Sequence, residues 1–259
     1  VRAVRAVDTA THPDFQGQGV FSRLTRAALT ALEEEADLVF NTPNSKSRPG
    51  YLKLGWQDVG RIPIRVRVRR PMRFALNLGG LRSDNASASA PAAGAVKAGE
   101  VLMAGDSELP RLLKESEVLD DRFRTHRSNE YLRWRYAEAP LLDYRAVTLE
   151  GDAGMRGLAF FRIRPRGRLA ECTVSELIVR NDDFHAARSL LKLVSRAASI
   201  DHLTCSFPSG SAADRAARAS GFIRVPKGMD LVVKPLQEVA PDPTSLDSWA
   251  LSLGDLEVF

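Results

Sequence analysis

The sequence predicts an α/β protein with mixed sheets, and three observations carry that prediction. Period-two or wholly apolar runs alternate with runs of helical period along the 259 residues. The order strand, helix, strand, short helix, strand, strand is used near the N-terminus and returns, with faint similarity, toward the C-terminus. Between them lies SDNASASAPAAGAVKAGE, residues 83–100, an Ala/Ser/Gly/Pro stretch with almost nothing large to bury. Such composition reads as a flexible linker. The expected division is a first unit over 1–82, the linker over 83–100, and a second unit with a C-terminal tail over 101–259.

Residues 1–11, VRAVRAVDTAT, read as a strand, followed by the loop HPDFQGQG. Residues 20–35 read as a helix with Val20, Leu24, Ala27, Ala28, Ala31 and Leu32 on one apolar face. DLVFNT, residues 37–42, is a short buried strand, and PNSKSRPG after it is a polar turn. YLKLGW then leads into strands at 57–60 and 62–70. In the last of these, Arg65, Arg67 and Arg69 alternate with Ile64, Val66 and Val68. That pattern is either a solvated face whose charge protects an edge from pairing or a surface for an anionic partner. No interleaved aromatics support binding of single-stranded nucleic acid.

In the second unit, residues 106–119 and 128–138 read as helices, and 144–150, 156–164 and 169–179 as strands. Residues 183–199 form a helix, 202–207 a buried strand, and 211–220 a small helix ended by Gly221. Strands at 222–225 and 229–234 close the unit. Gly221-Phe222 occupies the place that Gly55-Trp56 has in the first unit. The tail LDSWALSLGDLEVF carries Trp249 and Leu251, which predicts docking onto a domain.

Bulk properties narrow the class. Hydrophobic content of 44% and charged content of 27% are ordinary for a globular protein. No apolar run approaches the roughly 20 residues that span a bilayer. Cys172 and Cys205 sit in strand-like apolar runs and read as buried free thiols in a reducing, cytoplasmic setting. His12, His126, His185 and His202 show no metal-ligand spacing, so no metal site is expected. The chain opens on Val1 inside a strand, so further upstream residues are expected.

Gly17 and Gly19 stand directly before the first helix, where Ser or Asp would cap better. A helix start has unpaired N–H groups and a partial positive charge. Glycines let a phosphate reach those groups with no side chain in the way. The pattern lacks the third glycine of a dinucleotide fingerprint and the Gly-Lys-Ser/Thr of a P-loop.

Gln16-Gly17-Gln18-Gly19 follows a strand and Pro13, and Asn44, Tyr51 and Gly55-Trp56 come after it. In type and spacing these resemble the two signatures of the GCN5-related N-acetyltransferases, with Phe21 where the family has a small residue. The resemblance is clear over residues 4–56 and implies the following. Acetyl-CoA would be the cosubstrate, lying in a V between strands 1–11 and 37–42. Val7 and Thr9 would contact the pantetheine amides. The N–H groups of Gln16, Gly17, Gln18, Gly19 and Val20 would hold the pyrophosphate, and Asn44 the pantetheine arm. The Val7 N–H would serve the oxyanion, Tyr51 would protonate the thiolate, and Asp8 or His12 would be the base. A full family domain has three strands and two helices before the glycine-loop strand, so the first unit here lacks its N-terminal strands. The second unit has VRNDDFHAARSLLKL where the glycine loop should be, and reads as a degenerate copy.

The activity expected is acetyl transfer to a primary amine on a small molecule, sugar or peptide, with no membrane and no nucleic-acid partner; a homodimer is left open. Two rivals stand: a non-catalytic tandem module for acyl-CoA or another anion, and an aminoacyl-tRNA-dependent transferase using the arginine strand. HRSNEYLRWRYAEAP, with Tyr131, Trp134, Arg127, Arg133 and Arg135, reads as core packing with a basic face or as an acceptor surface.

Overall fold

The computed structural model describes residues 1–7, 10–77, 92–104, 108–118, 120–140, 142–152 and 154–256. Asp8, Thr9 and most of the expected linker lie outside these.

Leu38–Asn41 (β2) is apolar for three residues and buried along its length, which suits a strand covered on both faces. Ala3–Arg5 (β1) pairs with it in parallel, Ala3 opposite Leu38 and Arg5 opposite Phe40. Val20–Leu32 (α1) makes the crossover. On the far side of β2 lies Met229–Pro235 (β11), antiparallel to it, and then Gln57–Ile62 (β3), in the order β1-β2-β11-β3.

The second sheet has seven strands. Leu169–Val179 (β8) and His202–Cys205 (β9) form its parallel pair, joined by Phe184–Arg196 (α7). Beyond β9 come Arg65–Val68 (β4) and Ile223–Arg224 (β10). Beyond β8 come Gly154–Arg166 (β7), Arg145–Gly151 (β6) and Val96–Lys97 (β5). The sheets thus share an arrangement: a parallel pair, then two antiparallel strands.

Short helices follow the parallel pairs at equivalent places, Arg48–Lys53 (α2) and Ala212–Ala219 (α8). Both end alike. Gly55 and Gly221 take φ of +77° and +81°, values that favour glycine. The next residue reaches back five positions, Trp56 N–H to Tyr51 O at 3.2 Å and Phe222 N–H to Ala217 O at 3.1 Å. Each then buries its ring.

Within each arrangement the strand beside the parallel pair comes from the other part of the chain. β11 completes the first sheet and β4 the second, so sheet membership crosses residues 83–100 twice. Leu231, Val232 and Val233 in β11 are all fully buried, each worth about 1.5–3 kcal/mol of apolar burial. The exchange makes each sheet depend on a strand from the other part of the chain.

Four expectations need correction. β1 ends at Arg5 rather than continuing to residue 11, because its ladder with β2 stops at Ala6 N–H to Phe40 O, 3.0 Å. α1 presents only part of its predicted face: Leu24 is 64% exposed and Ala27, Ala28 and Ala31 are exposed, while Leu32 from that face, with Phe21 and Leu29 from outside it, packs against Val39, Tyr51 and Val232. Residues 92–100, read as linker, hold a buried Ala92, the strand β5 and the start of Ala98–Met103 (α4). The arginine strand β4 is neither an edge nor a solvated face. Arg65 Nε reaches Asp214 at 2.9 Å and Arg69 Nη1 reaches Ser195 O at 2.9 Å.

Pro71–Leu76 (α3), Glu108–Glu115 (α5), Asn129–Leu132 (α6) and Leu253–Leu256 (α9) complete the helices used here. The tail docks as expected: Trp249, Leu251 and Leu256 join Leu38, Phe40 and Val233 in the core. Cys172 and Cys205 are buried free thiols. No helix among the described residues is long and apolar enough to cross a membrane.

Candidate active site

Loop residues 12–19 lead from β1 into α1. Pro13–Phe15 forms one 3-10 turn, whose carbonyls accept locally: Gln16 N–H bonds Pro13 O at 3.2 Å. That amide is therefore spent and is not free for a phosphate, a correction to the expected set. The N–H groups of Gly17, Gln18, Gly19 and Val20 bond no described residue. Gly17 and Gly19 have φ of +74° and +73°, and a Cβ built on either meets nothing within 4 Å. Gly19 is the N-cap of α1, and no side chain caps it. The first turn of α1 carries no acidic residue. Side chains brace the loop from behind, Gln16 Nε2 to Thr11 O at 3.2 Å and Gln18 Nε2 to Asp14 O at 3.0 Å. Backbone donors without a partner among the described residues, at glycines with open space beside them, suit a diphosphate.

The parallel strands are joined only up to Ala6 and Phe40 among the described residues. Val7 lies just past that point, 44% exposed. Ala3, Arg5 and Val7 share one face of the strand and line a cavity of about 1170 Å3. Its other walls come from residues 120–126, the region of α6 and the tail around Trp249–Asp255.

Tyr51 is 2% exposed. Its ring lies edge-on to Phe21 at 5.1 Å and to Trp56 at 4.8 Å. Phe21, the departure from the family pattern, packs onto α2. A Cβ at Gly50 would lie 2.8 Å from its ring, so Gly50 makes the room that the large residue takes. Asn44 is exposed, and its Oδ1 accepts from the Lys46 and Ser47 N–H groups at 2.9 Å each. It caps the turn into α2 through that oxygen. His12 is exposed and its Nδ1 accepts from Asp14 N–H at 3.3 Å. His12 is not part of the cavity wall.

Sequence reasoning missed the buried charge under the cavity floor. Arg127 Nη2 lies 3.0 Å from Glu176 and 2.9 Å from Asp255. Ser252 donates to Glu176 at 3.1 Å. Burial, with the Asp255 charge beside it, holds Glu176 above the usual carboxylate range although Arg127 opposes this. Burial alone would lower Arg127, but Asp255 and Glu176 overcome it and raise its pKa. Arg5 crosses to the tail, donating to Asp255 O at 2.9 Å, to Thr42 at 2.9 Å and to Leu256 O. The charge density of DDRFRTHR, residues 120–127, was the available signal. Asp120 is held at about 2: burial works against this, and hydrogen bonds from Arg122 and Arg124 prevail. No group of three or more metal-ligating side chains occurs among the described residues.

Comparison with solved structures identifies the architecture. A GCN5-related N-acetyltransferase from Anabaena variabilis matches with a TM-score of 0.58 at 12% identity, over 91% of this chain and 55% of that one. The corresponding figures for a GCN5-related N-acetyltransferase from Kribbella flavida are 0.51, 13%, 90% and 53%. The fold is that of the GCN5-related N-acetyltransferases. The chain spans about half the length of these neighbours. No family model matches the chain, and no curated protein is similar to it.

Proposed function

We propose that this chain carries the cofactor-binding part of an acetyl-CoA-dependent N-acetyltransferase that acts on a primary amine by direct attack. The observation that carries the reading is the row of unbonded amides at Gly17, Gln18, Gly19 and Val20, set at left-handed glycines beside the end of the β1–β2 ladder. Open space at both glycines fits a diphosphate pressed against the backbone. Val7 and Thr9 would align the pantetheine, the Val7 N–H would meet the oxyanion, and the Asn44 amide would donate to the arm.

Tyr51 is the proton donor to the departing thiolate in this reading. It is also a core residue, so Tyr51→Phe, which keeps the ring, decides the matter. Slowed turnover at unchanged CoA affinity assigns the phenol; equal turnover leaves packing alone. Asp8 or His12 would be the base, or solvent in their place; the His12 Nδ1 also accepts from the Asp14 N–H at 3.3 Å. The parallel pair β8–β9 with α7 and α8 is proposed to be a second, degenerate unit of the same fold.

Titration of the chain with CoA by calorimetry tests the reading, followed by thiol release from acetyl-CoA over a panel of amines. Absence of CoA binding overturns it. Binding without turnover on any amine favours the non-catalytic module. The tRNA-dependent alternative would have to do without Arg65, whose Nε is paired with Asp214 at 2.9 Å.

A further inference from the structure

The end of the second sheet at which β8 and β9 begin gathers cations. The ladders set Val68 opposite His202, Glu171 opposite His202 and Arg166 opposite Leu169. The end of β4, the β7–β8 turn and the start of β9 therefore meet there. Arg69 and Arg70 donate their N–H groups to Asp201 O at 2.8 and 3.2 Å, which seats α3 on the start of β9. Their side chains reach α7 and the residues after it, Arg69 Nη1 to Ser195 O at 2.9 Å and Arg70 Nη2 to Ser199 Oγ at 2.6 Å. Arg73 Nη2 reaches Arg168 O in the turn at 2.8 Å.

The charge at this end does not cancel. Residues 69–76, 164–171 and 192–202 hold eight Lys and Arg against two carboxylates, Glu171 and Asp201. Both carboxylates are buried. Glu171 is matched by Arg166 at 2.6 Å and Arg164 at 3.6 Å. Asp201 stands alone between Arg73 at 3.5 Å and Arg70 at 3.7 Å. The Arg69 side chain bonds a neutral carbonyl. The side chains of Arg168, Lys192 and Arg196 are exposed and bond no described residue. Positive charge is left over, and it faces outward.

α3 adds a second, independent feature. Met72 and Leu76 lie four residues apart, on one face of the helix, and are 80% and 83% exposed. Phe74 points the other way, its ring edge-on to buried His202 at 5.1 Å. The two rings of these segments are thus turned onto each other, which leaves no stacking platform for bases. Two large apolar side chains side by side within a collar of cations match the layers of an anionic bilayer, phosphates outside and acyl chains beneath.

We propose that this end of the second sheet docks on an anionic phospholipid bilayer. Met72 and Leu76 enter the acyl boundary, and Arg69, Arg70, Arg73, Arg168 and Arg196 meet the headgroup phosphates. The contact is independent of the glycine loop and of the transferase reading. It needs no spanning helix, because interfacial binding draws on exposed apolar area and charge attraction together.

The test is cosedimentation of the full chain with vesicles of phosphatidylcholine alone and of phosphatidylcholine with phosphatidylglycerol. The mixed vesicles should bind about tenfold or more tightly than the neutral ones, and the difference should shrink as salt is added. Met72→Ser combined with Leu76→Ser removes apolar area at constant charge and should weaken that binding about tenfold. Both side chains are exposed, so the core is untouched. Arg168→Glu combined with Arg196→Glu, at side chains with no partner to lose, should weaken it by at least as much. Duplex DNA is the control polyanion, and the serine pair should leave its binding unchanged. No binding of the mixed vesicles, equal binding of the two vesicle types, or indifference of vesicle binding to the serine pair overturns the proposal. Duplex DNA bound more tightly than the mixed vesicles would assign the face to nucleic acid instead.

Discussion

The helices α1 and α7 each join the strands of a parallel pair, and their starts have opposite electrostatics. Before α1 the chain takes left-handed turns at Gly17 and Gly19, and the amides of Gly17 to Val20 bond no described residue. Before α7 it takes them at Asn181 and Asp182, with φ of 48° and 52°. There Asp183 Oδ1 fills the Ala186 amide at 3.0 Å and Asp182 Oδ1 fills the Ala212 amide of α8 at 2.5 Å. The approaches differ in length and in the cap itself, which is left-handed at Gly19 and extended at Asp183, and the residue type decides whether the first amides of the helix are filled by the protein's own side chains. In the function proposed above, an anion site would need the absence of a cap as much as the presence of glycine.

The comparison assumes that the two halves stand or fall together, and the largest predicted effect tests this. Val232 is fully buried in β11, between β2 and β3. Val232→Asp places an unpaired carboxylate there, at a cost of roughly 4 kcal/mol or more. Hydrogen exchange should show β8 and β9 losing protection together with β2. Loss confined to the first sheet would make the two arrangements separable folding units.

Next in size is an exchange of character. Gly19→Asp gives α1 the residue type that closes α7, and Asn or Asp tolerates the left-handed turn. CoA affinity should fall on the order of 100-fold, about 2.8 kcal/mol. Gly19→Asn keeps the shape without the charge and should lose far less. Equal losses in the two variants would show that shape rather than charge excludes the ligand.

Much of this contrast was legible in the sequence, and the reasons differ residue by residue. β8 falls on 169–179 as expected, because a long apolar run bounded by turns admits few readings. Gly221-Phe222 was read correctly as the counterpart of Gly55-Trp56, since a left-handed glycine and a buried ring are local features. The strand exchange was not legible. Pairing of β4 with β9 joins Arg65 to Cys205, and no local pattern records so distant a partner. The period of the arginine strand was right and its environment wrong for the same reason. On α1 the alanines looked like a core face, yet small residues tolerate solvent, and Phe21, Leu29 and Leu32 had more area to bury. For Trp134 a regular helical wheel misassigns direction, because Arg133–Ala137 form a π turn that shifts every later residue.

A smaller effect is expected at the other end of the comparison. Asp183→Ala removes the cap of α7 and should cost about 1 kcal/mol, a lowering of Tm by roughly 2–4 °C for a chain of this size. The reopened amides should not bind CoA. Only residues 180–183 separate β8 from α7, which leaves no loop to cradle a diphosphate. CoA binding gained at α7 would mean that the cap alone had closed the second site.

The smallest effect is one of pH, and it tells how the cap works. Burial alone would raise the Asp183 carboxyl; the Ala186 N–H and Arg156, at 2.6 Å, lower it. A carboxyl lowered on folding stabilises above the unfolded value of about 3.9, and that contribution disappears as pH falls through the folded value. α1 has no carboxylate at its start and contributes nothing of the kind. Asn caps a helix about as well as Asp. Asp183→Asn should therefore differ from the native chain at pH 7 by the charge alone, roughly 0.3–1 kcal/mol, and the gap should close toward pH 3 in denaturant melts. A gap constant with pH would assign the cap to hydrogen bonding without charge. The exclusion of an anion from α7 would then rest on occupied amides, and the contrast with α1 would be one of vacancy rather than of field.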